Sequence, residues 1–241
     1  MTESRPPAAD RRQPDRPDDP ASDLERSWIA NARAWTEAVR CGGIASRRLA
    51  TDEAVVQAVL ARTPKRVLDL GCGEGWLARA LSARGVAEVV GVDGSAPLIE
   101  AAREMGGGDF RVLGYDELAA DPTRAGSGFD AVAANFALLH EDVAPLLRAL
   151  RRALAPGGAL IVQTVHPLGA GAPYRDGWRT EDFRGFGGSG VAWRPMPWYF
   201  RTLGSWVALQ RASGYALAEL REPLHPGTAL PLSLLLTAEP A

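Results

Sequence analysis

Three alternating glycines, Gly71, Gly73 and Gly75, follow directly on Val67-Leu68-Asp69-Leu70 in the stretch VLDLGCGEG. The run reads as a buried strand ending in a loop with no room for side chains, where the backbone can take positive φ and a ligand can come close to the main chain. Amides at the start of the following helix make such a spot electropositive. A dinucleotide fingerprint, G-x-G-x-x-G, would place its third glycine at position 76, where this chain has Trp76; the spacing is G-x-G-x-G instead. Asp69, two residues before the first glycine, would repel a pyrophosphate and suits a ligand carrying an ammonium group. Twenty residues after Gly73 a second apolar run, VVGVD, ends in Asp93, placed to accept hydrogen bonds from both ribose hydroxyls. Together these residues point to a nucleoside joined to an amino acid, and away from NAD.

The elements that must position these residues alternate. Short apolar strands are expected near 65–70, 87–92, 109–113, 129–134 and 158–164, with helices near 75–84, 95–105 and 141–154, the second capped by Ser95 with Pro97 in its first turn. That order argues for a parallel sheet covered on both faces. Near the end, YALAELREP and PLSLLLTAEP read as two strands joined by the turn HPGTA. Residues 1–22, with five prolines and almost no large apolar residue, are expected to form a disordered tail. Residues 23–64 are expected to form a helical N-terminal cap. In it Leu24, Trp28, Ala32, Trp35 and Val39 recur at helical spacing and Gly42-Gly43 stop the helix; a second helix starts with Thr51 as N-cap and runs to about Arg62. Residues 65–241 then make the core. Within it, 167–200 shows neither helical nor strand period, yet holds eight of the seventeen aromatic residues, which argues for a lid.

Composition narrows the field. With 241 residues, 46% hydrophobic and 23% charged, the chain suffices for one well-buried domain with decorations. A net charge of −2 disfavours a general polyanion surface, so no nucleic-acid partner is expected. The sequence has no run of about 18 apolar residues and no charged-then-apolar leader, so neither a membrane span nor export is expected and the cytoplasm is the default. Cys41 and Cys72 are too few for a disulfide framework, and His140, His166 and His225 show no metal-ligand spacing, so no metal is expected.

The glycine loop with Asp93, followed by GFDAVAANFALLHE and LAPGGALIVQT, resembles the class I S-adenosylmethionine-dependent methyltransferases, in their small-molecule branch. The resemblance covers about residues 50–241. It implies an α/β Rossmann-like three-layer sandwich whose mostly parallel seven-stranded sheet carries an antiparallel last strand beside the fifth, and S-adenosyl-L-methionine as cofactor. It places Gly71, Cys72 and Gly73 against the methionyl part, Asp69 near its ammonium, and Asp93 with Gly94 at the ribose. Tyr115 and Asp116 fall where the family meets adenine, although the chain reads Gly114-Tyr115-Asp116 rather than the commoner Gly-Asp-Ala. Asn135 and Phe136 follow the fourth strand, and Asn135 is expected to touch the cofactor. The Pro-Pro-aromatic run of nucleic-acid amino-methyltransferases is missing there. For the cofactor carboxylate, Arg40 of the cap is the chosen cation, a solvated surface arginine being the alternative.

Methyl transfer from a sulfonium asks mainly for alignment and exclusion of water, plus a base where the acceptor carries a proton. His140 after the fourth strand and His166 after the fifth both fall at the ligand edge, though His166 before Pro167 also suits a turn and His140 a helix cap. Trp198 and Tyr199 of the lid are set either against an apolar or aromatic acceptor or in packing. The reading is a methyltransferase of a small acceptor, monomeric or homodimeric. The alternatives are a protein or RNA acceptor, a binder that keeps the cofactor without catalysis, and an NAD-type oxidoreductase, against which Trp76 and Asp69 argue.

Overall fold

The computed structural model describes residues 19–187, 190 and 192–241, so most of the expected tail lies outside the described residues. The part of it that is described is not a tail. Helix α1 (Pro20–Arg40) begins at Pro20 because Asp19 caps it, with Pro20 inside the first turn. Leu24, Ser27, Asn31, Ala34 and Ala38 form its buried stripe. Gly42 ends the helix at φ +67, a conformation that favours glycine.

Thr51 is not the expected cap. A π-helical turn, Arg47–Thr51, runs straight into α2 (Asp52–Leu60), and Thr51 has helical backbone angles and makes no side-chain cap bond. Then follow β1 (Arg66–Leu70), α3 (Trp76–Ser82), β2 (Glu88–Asp93), α4 (Ala96–Met105), β3 (Asp109–Val112), α5 (Tyr115–Ala120), β4 (Phe129–Asn135), α6 (Ala144–Leu150) and β5 (Leu154–Val165). The chain continues through β6 (Gly177–Glu181), β7 (Met196–Phe200), α7 (Leu203–Ala212), β8 (Tyr215–Arg221) and β9 (Ser233–Pro240).

The main sheet has the order β3-β2-β1-β4-β5-β9-β8. The first five strands are parallel, and β9 runs antiparallel to both β5 and β8. This is the Rossmann-like three-layer architecture with its reversed strand beside the fifth. Side chains of β1 alternate between two cores. Leu68 and Leu70 join Leu118, Leu147 and Trp206 of α5, α6 and α7, while Val67 joins Val59, Leu77 and Ile99 of α2, α3 and α4. Strand order reverses between β1 and β4, so the C-terminal ends of these two strands open the crevice in which such sheets hold ligands.

The segment 167–200 is less irregular than its sequence reads. Strands β6 and β7 pair antiparallel from Gly177 with Phe200 to Glu181 with Met196, although Pro197 and a run of rings mask the period. Trp193 stacks on Phe183 with centroids 4.4 Å apart, and Phe186 meets Trp35 of α1 at 6.1 Å. The carboxamide of Asn31, fully buried, pairs with the backbone of Arg194: Nδ2 donates to its carbonyl at 2.9 Å and Oδ1 accepts from its amide at 2.8 Å. Helix and lid are thereby one roof.

Replacing Asn31 by alanine leaves both backbone groups of Arg194 without their partner. The expected cost is about 1–3 kcal/mol of stability in denaturant unfolding, with faster hydrogen exchange across β7. Unchanged exchange there would show that the roof does not depend on this pair.

Candidate functional site

The loop after β1 is held by its neighbour strand. Gly71 and Cys72 donate their amides to the Val92 carbonyl at 2.8 and 3.0 Å, and Gly75 donates to the Cys72 carbonyl at 3.0 Å. Gly71, at φ +68, admits no side chain, since a β-carbon there would lie 2.5 Å from Ala137 Cβ and 3.0 Å from Tyr115 Oη. Asp93, the last residue of β2, completes the arrangement. Its Oδ2 accepts from the Gly73 amide at 2.9 Å and its Oδ1 from the Ser95 amide at 2.8 Å. Ser95 therefore starts α4 as a donor to Asp93, and its own hydroxyl makes no cap bond. Each Asp93 oxygen keeps a free lone pair, as acceptance from a pair of vicinal hydroxyls requires.

A cavity of about 280 Å³ opens above these residues. Its floor is Gly71, Gly73, Asp93, Gly94 and Ser95; β4 and its loop add Asn135, Phe136, Ala137 and His140; Trp28, Ile29 and Trp35 come from α1. Phe136 takes φ +52 and donates its amide to the Gln163 carbonyl at 2.7 Å, which turns the chain sharply at the end of β4. Gln163 Nε2 donates to Asn135 Oδ1 at 2.7 Å and to the Thr51 carbonyl at 2.9 Å, so the Asn135 carboxamide is oriented by the neighbouring strand. Tyr115 donates its hydroxyl to the Ala137 carbonyl at 3.0 Å and stands edge-on to the His140 ring.

Of the residues expected here from sequence, Gly71, Gly73, Asp93, Gly94, Tyr115, Asn135, Phe136 and His140 line the cavity. The others lie elsewhere, each for a physical reason. Arg40 is paired with Glu74 at 3.2 Å and donates to the Ala101 carbonyl at 2.9 Å, so it ties α1 to the glycine loop and to α4. Cys72 points into the core of α2, α3 and α4, and burial raises its thiol pKa, which suits packing. Asp116 is exposed in the first turn of α5. His166 is buried away from the cavity; its Nε2 lies 2.8 Å from Glu222 and its Nδ1 accepts from the Leu168 amide, so it pins the turn after β5. Trp198 packs in the lid cluster with Phe183 and Met196, and Tyr199 meets Trp178 edge-on at 5.6 Å.

Trp28 and Trp35 take the place expected for the lid rings. Their helical spacing is visible in the sequence, but which wall they cover follows only from the docking of α1. Val112, Leu98, Glu25 and Glu117 complete the rim without a signal in the sequence.

The site is acidic. Asp93, Glu25 and Glu117 line the cavity, whereas among the described residues no lysine or arginine does. Burial raises the Asp93 pKa, and its two amide bonds oppose that rise. Asp69 lies beneath the loop rather than in the wall, 1% exposed, with Oδ2 unpartnered. Burial, with Asp93 and Glu74 nearby, pushes its pKa up to about 7. Glu74 is instead paired through Oε2 with Arg79 at 2.6 Å and with Arg40 at 3.2 Å, while its Oε1 is buried with no partner among the described residues. Among the described residues no group of three or more histidine, cysteine or acidic side chains is placed to hold a metal, and no helix is long and apolar enough to cross a membrane.

Residues 67–158 match the family described as Methyltransferase domain. The chain is 40% identical over 111 residues to a ubiquinone biosynthesis O-methyltransferase of Marinobacter nauticus, which covers 42% of this chain and 44% of that protein. It is 42% identical over 122 residues to a demethylmenaquinone methyltransferase of Thermus thermophilus, covering 48% of this chain and 54% of the relative. The chain thus spans about half the length of the curated relatives it matches. Among solved structures, an S-adenosylmethionine-dependent methyltransferase of Mesorhizobium loti superposes with a TM-score of 0.57 at 25% identity, over 76% of this chain and 94% of that one. The fold is also that of the 1,6-didemethyltoxoflavin-N1-methyltransferase of Burkholderia thailandensis, solved with S-adenosylhomocysteine bound, at a TM-score of 0.63, 18% identity and coverage of 99% of this chain and 100% of that one. Residues 67–158 thus carry a methyltransferase domain, and the sheet around it is similar to that of a solved S-adenosylmethionine-dependent methyltransferase. The glycine cradle with Asp93 beneath an open cavity fits S-adenosylmethionine, a nucleoside joined to an amino acid.

The protonation of Asp69 sets a slope of stability with pH. The folded protein keeps this proton up to about pH 7, whereas the unfolded chain releases it near 3.8. Stability is therefore fullest below the unfolded value and falls as pH rises through about 7. Asp69→Asn is expected to remove this fall, worth about 3–4 kcal/mol, in denaturant melts of the ligand-free protein between pH 4 and 8. Parallel profiles for the two proteins would contradict the assignment.

Proposed function

We propose that the chain transfers a methyl group from S-adenosylmethionine to a small, apolar or aromatic acceptor that carries a hydroxyl. The observation that carries this reading is the cavity itself: Asp93 at its floor with one amide on each oxygen, Trp28 and Ile29 on its wall, and His140 in the loop after β4. The bound cofactor supplies a methyl on a positively charged sulfur. The protein's part is then to align the acceptor, exclude water and remove a proton. Asp93 accepts the ribose hydroxyls, and Asn135, fixed by Gln163, presents its free amide nitrogen to the same space.

His140 is the proton acceptor of this reading. Its Nδ1 is buried with no partner among the described residues, and its Nε2 lies 3.7 Å from Glu25 Oε1. Burial lowers its pKa, Arg201 adds to that, and Glu25 and Asp116 oppose it, so the ring is neutral at physiological pH and able to take a proton. The two quinone-pathway relatives named above support an acceptor of the quinol class.

The test is transfer of a labelled methyl to a panel of phenols, catechols and quinols. Transfer is expected to fall only on the acid side of the ordinary histidine range, where His140, its pKa lowered by burial, becomes charged, and His140→Ala should lose about 100-fold in kcat and that acid limb with it. Wild-type rates and an unaltered profile in His140→Gln would remove the histidine from the reaction. Asp93→Ala should weaken S-adenosylmethionine binding about 100-fold in titration calorimetry, the loss of charged hydrogen bonds to two hydroxyls. An unchanged affinity would remove Asp93 from the ribose.

A further inference from the structure

The amino-acid end of this cofactor carries a carboxylate, and among the described residues the cavity walls hold no lysine or arginine. Arg40, the last residue of α1, is engaged with Glu74 and Ala101, and Arg79 with Glu74. The glycine loop does not supply an amide cradle either. Gly71, Cys72, Gly73 and Gly75 all donate within the fold, to Val92, to Asp93 and to Cys72. Helix α3 behind the loop has seven residues, too short for its N-terminus to stand as an anion site by itself.

One donor does face the loop. Trp35 of α1 lines the cavity, and a β-carbon built on Gly73 would sit 3.4 Å from its indole Nε1. That nitrogen has no hydrogen-bond partner among the described residues. The ring is held in place on two sides, edge-on to Trp28 with centroids 5.2 Å apart and tilted against Phe186 at 6.1 Å, so its N–H is fixed over the glycine. An indole nitrogen only donates, which suits an anion and rejects the ammonium beside it.

We propose that the Trp35 indole N–H is the hydrogen-bond donor that holds the carboxylate of the cofactor, in the role the sequence reserves for Arg40. Helix α1 thereby reads the amino-acid end of the ligand directly, and a neutral donor takes the place of a salt bridge. This rests on S-adenosylmethionine as the ligand of the cavity. A neutral donor also leaves the acidic wall unopposed, so the site keeps its preference for the positively charged sulfonium form.

The test compares two ligands that differ by the carboxylate alone, S-adenosylmethionine and decarboxylated S-adenosylmethionine, by titration calorimetry on the full chain. Trp35→Phe keeps the ring packing and removes the N–H. It should weaken S-adenosylmethionine about tenfold and decarboxylated S-adenosylmethionine less than twofold. Equal loss for both ligands would make Trp35 a packing residue only, and no loss for either would give the carboxylate to another donor such as Asn135 Nδ2; each overturns the proposal. A second measurement does not depend on the variant. In nitrogen-15-labelled wild-type protein, the Trp35 indole proton should move downfield with S-adenosylmethionine and stay in place with the decarboxylated ligand, and the same shift with both would refute the assignment. Failure of wild-type protein to bind either ligand would instead refute the cofactor, a separate outcome.

Discussion

One half-buried carboxylate holds the site together. Asp93 ends β2, and its two oxygens take the Gly73 amide from the neighbouring loop and the Ser95 amide from the start of α4. Loop and helix start are thus fixed to the same group, and the cavity floor is rigid before any ligand arrives. The charge of that group is sustained at some expense: Asp69 and Glu74 stand close by, and only Glu74 has cationic partners. Asp69 answers by keeping its proton, so the cluster carries less charge than its composition says.

The roof follows from the same network. Arg40 reaches from the end of α1 to Glu74, so the helix that carries Trp28 and Trp35 is clamped to the glycine loop below. Asn31 joins the helix to the lid, and Arg201, after β7, donates to the carbonyls of His140 and Glu141 at 2.5 Å. The lid therefore grips the backbone of the His140 loop rather than offering rings to a substrate. Its aromatic residues form a small core of their own, with Phe183 and Met196 almost fully buried. What closes the cavity is α1, and the lid holds α1 and the β4 loop in register with each other.

The parts that were legible in the sequence are those governed by local rules. Strand and loop at VLDLGCGEG, the second acid at Asp93, and the reversed strand at the end all follow from period, glycine spacing or resemblance, and the sheet has them where expected. Arg40, His166, Trp198 and Tyr199 lie outside the cavity wall for one reason. Each lies in the right region of the chain, but its partner is set by tertiary packing: Glu74 for Arg40, Glu222 for His166, the Phe183 cluster for Trp198 and Trp178 for Tyr199. Trp28 and Trp35 illustrate the converse. Their spacing on one helix is plain in the sequence, yet the same spacing serves a core face or a ligand wall, and only the docking of α1 over Gly73 decides between them. Helices α5 and α7 leave little mark in the sequence because one has six residues and the other lacks a strong apolar stripe.

The central claim is that the G-x-G-x-G loop with Asp93 binds a nucleoside joined to an amino acid and not a dinucleotide. Parallel titration calorimetry of the full chain with S-adenosylmethionine, S-adenosylhomocysteine and NADH tests it most directly. The account predicts one-to-one binding of the first two at micromolar concentrations and none of NADH. Binding of NADH with neither of the others would contradict it, and would turn Asp69 and Trp76 from arguments against a dinucleotide into features that a dinucleotide site tolerates.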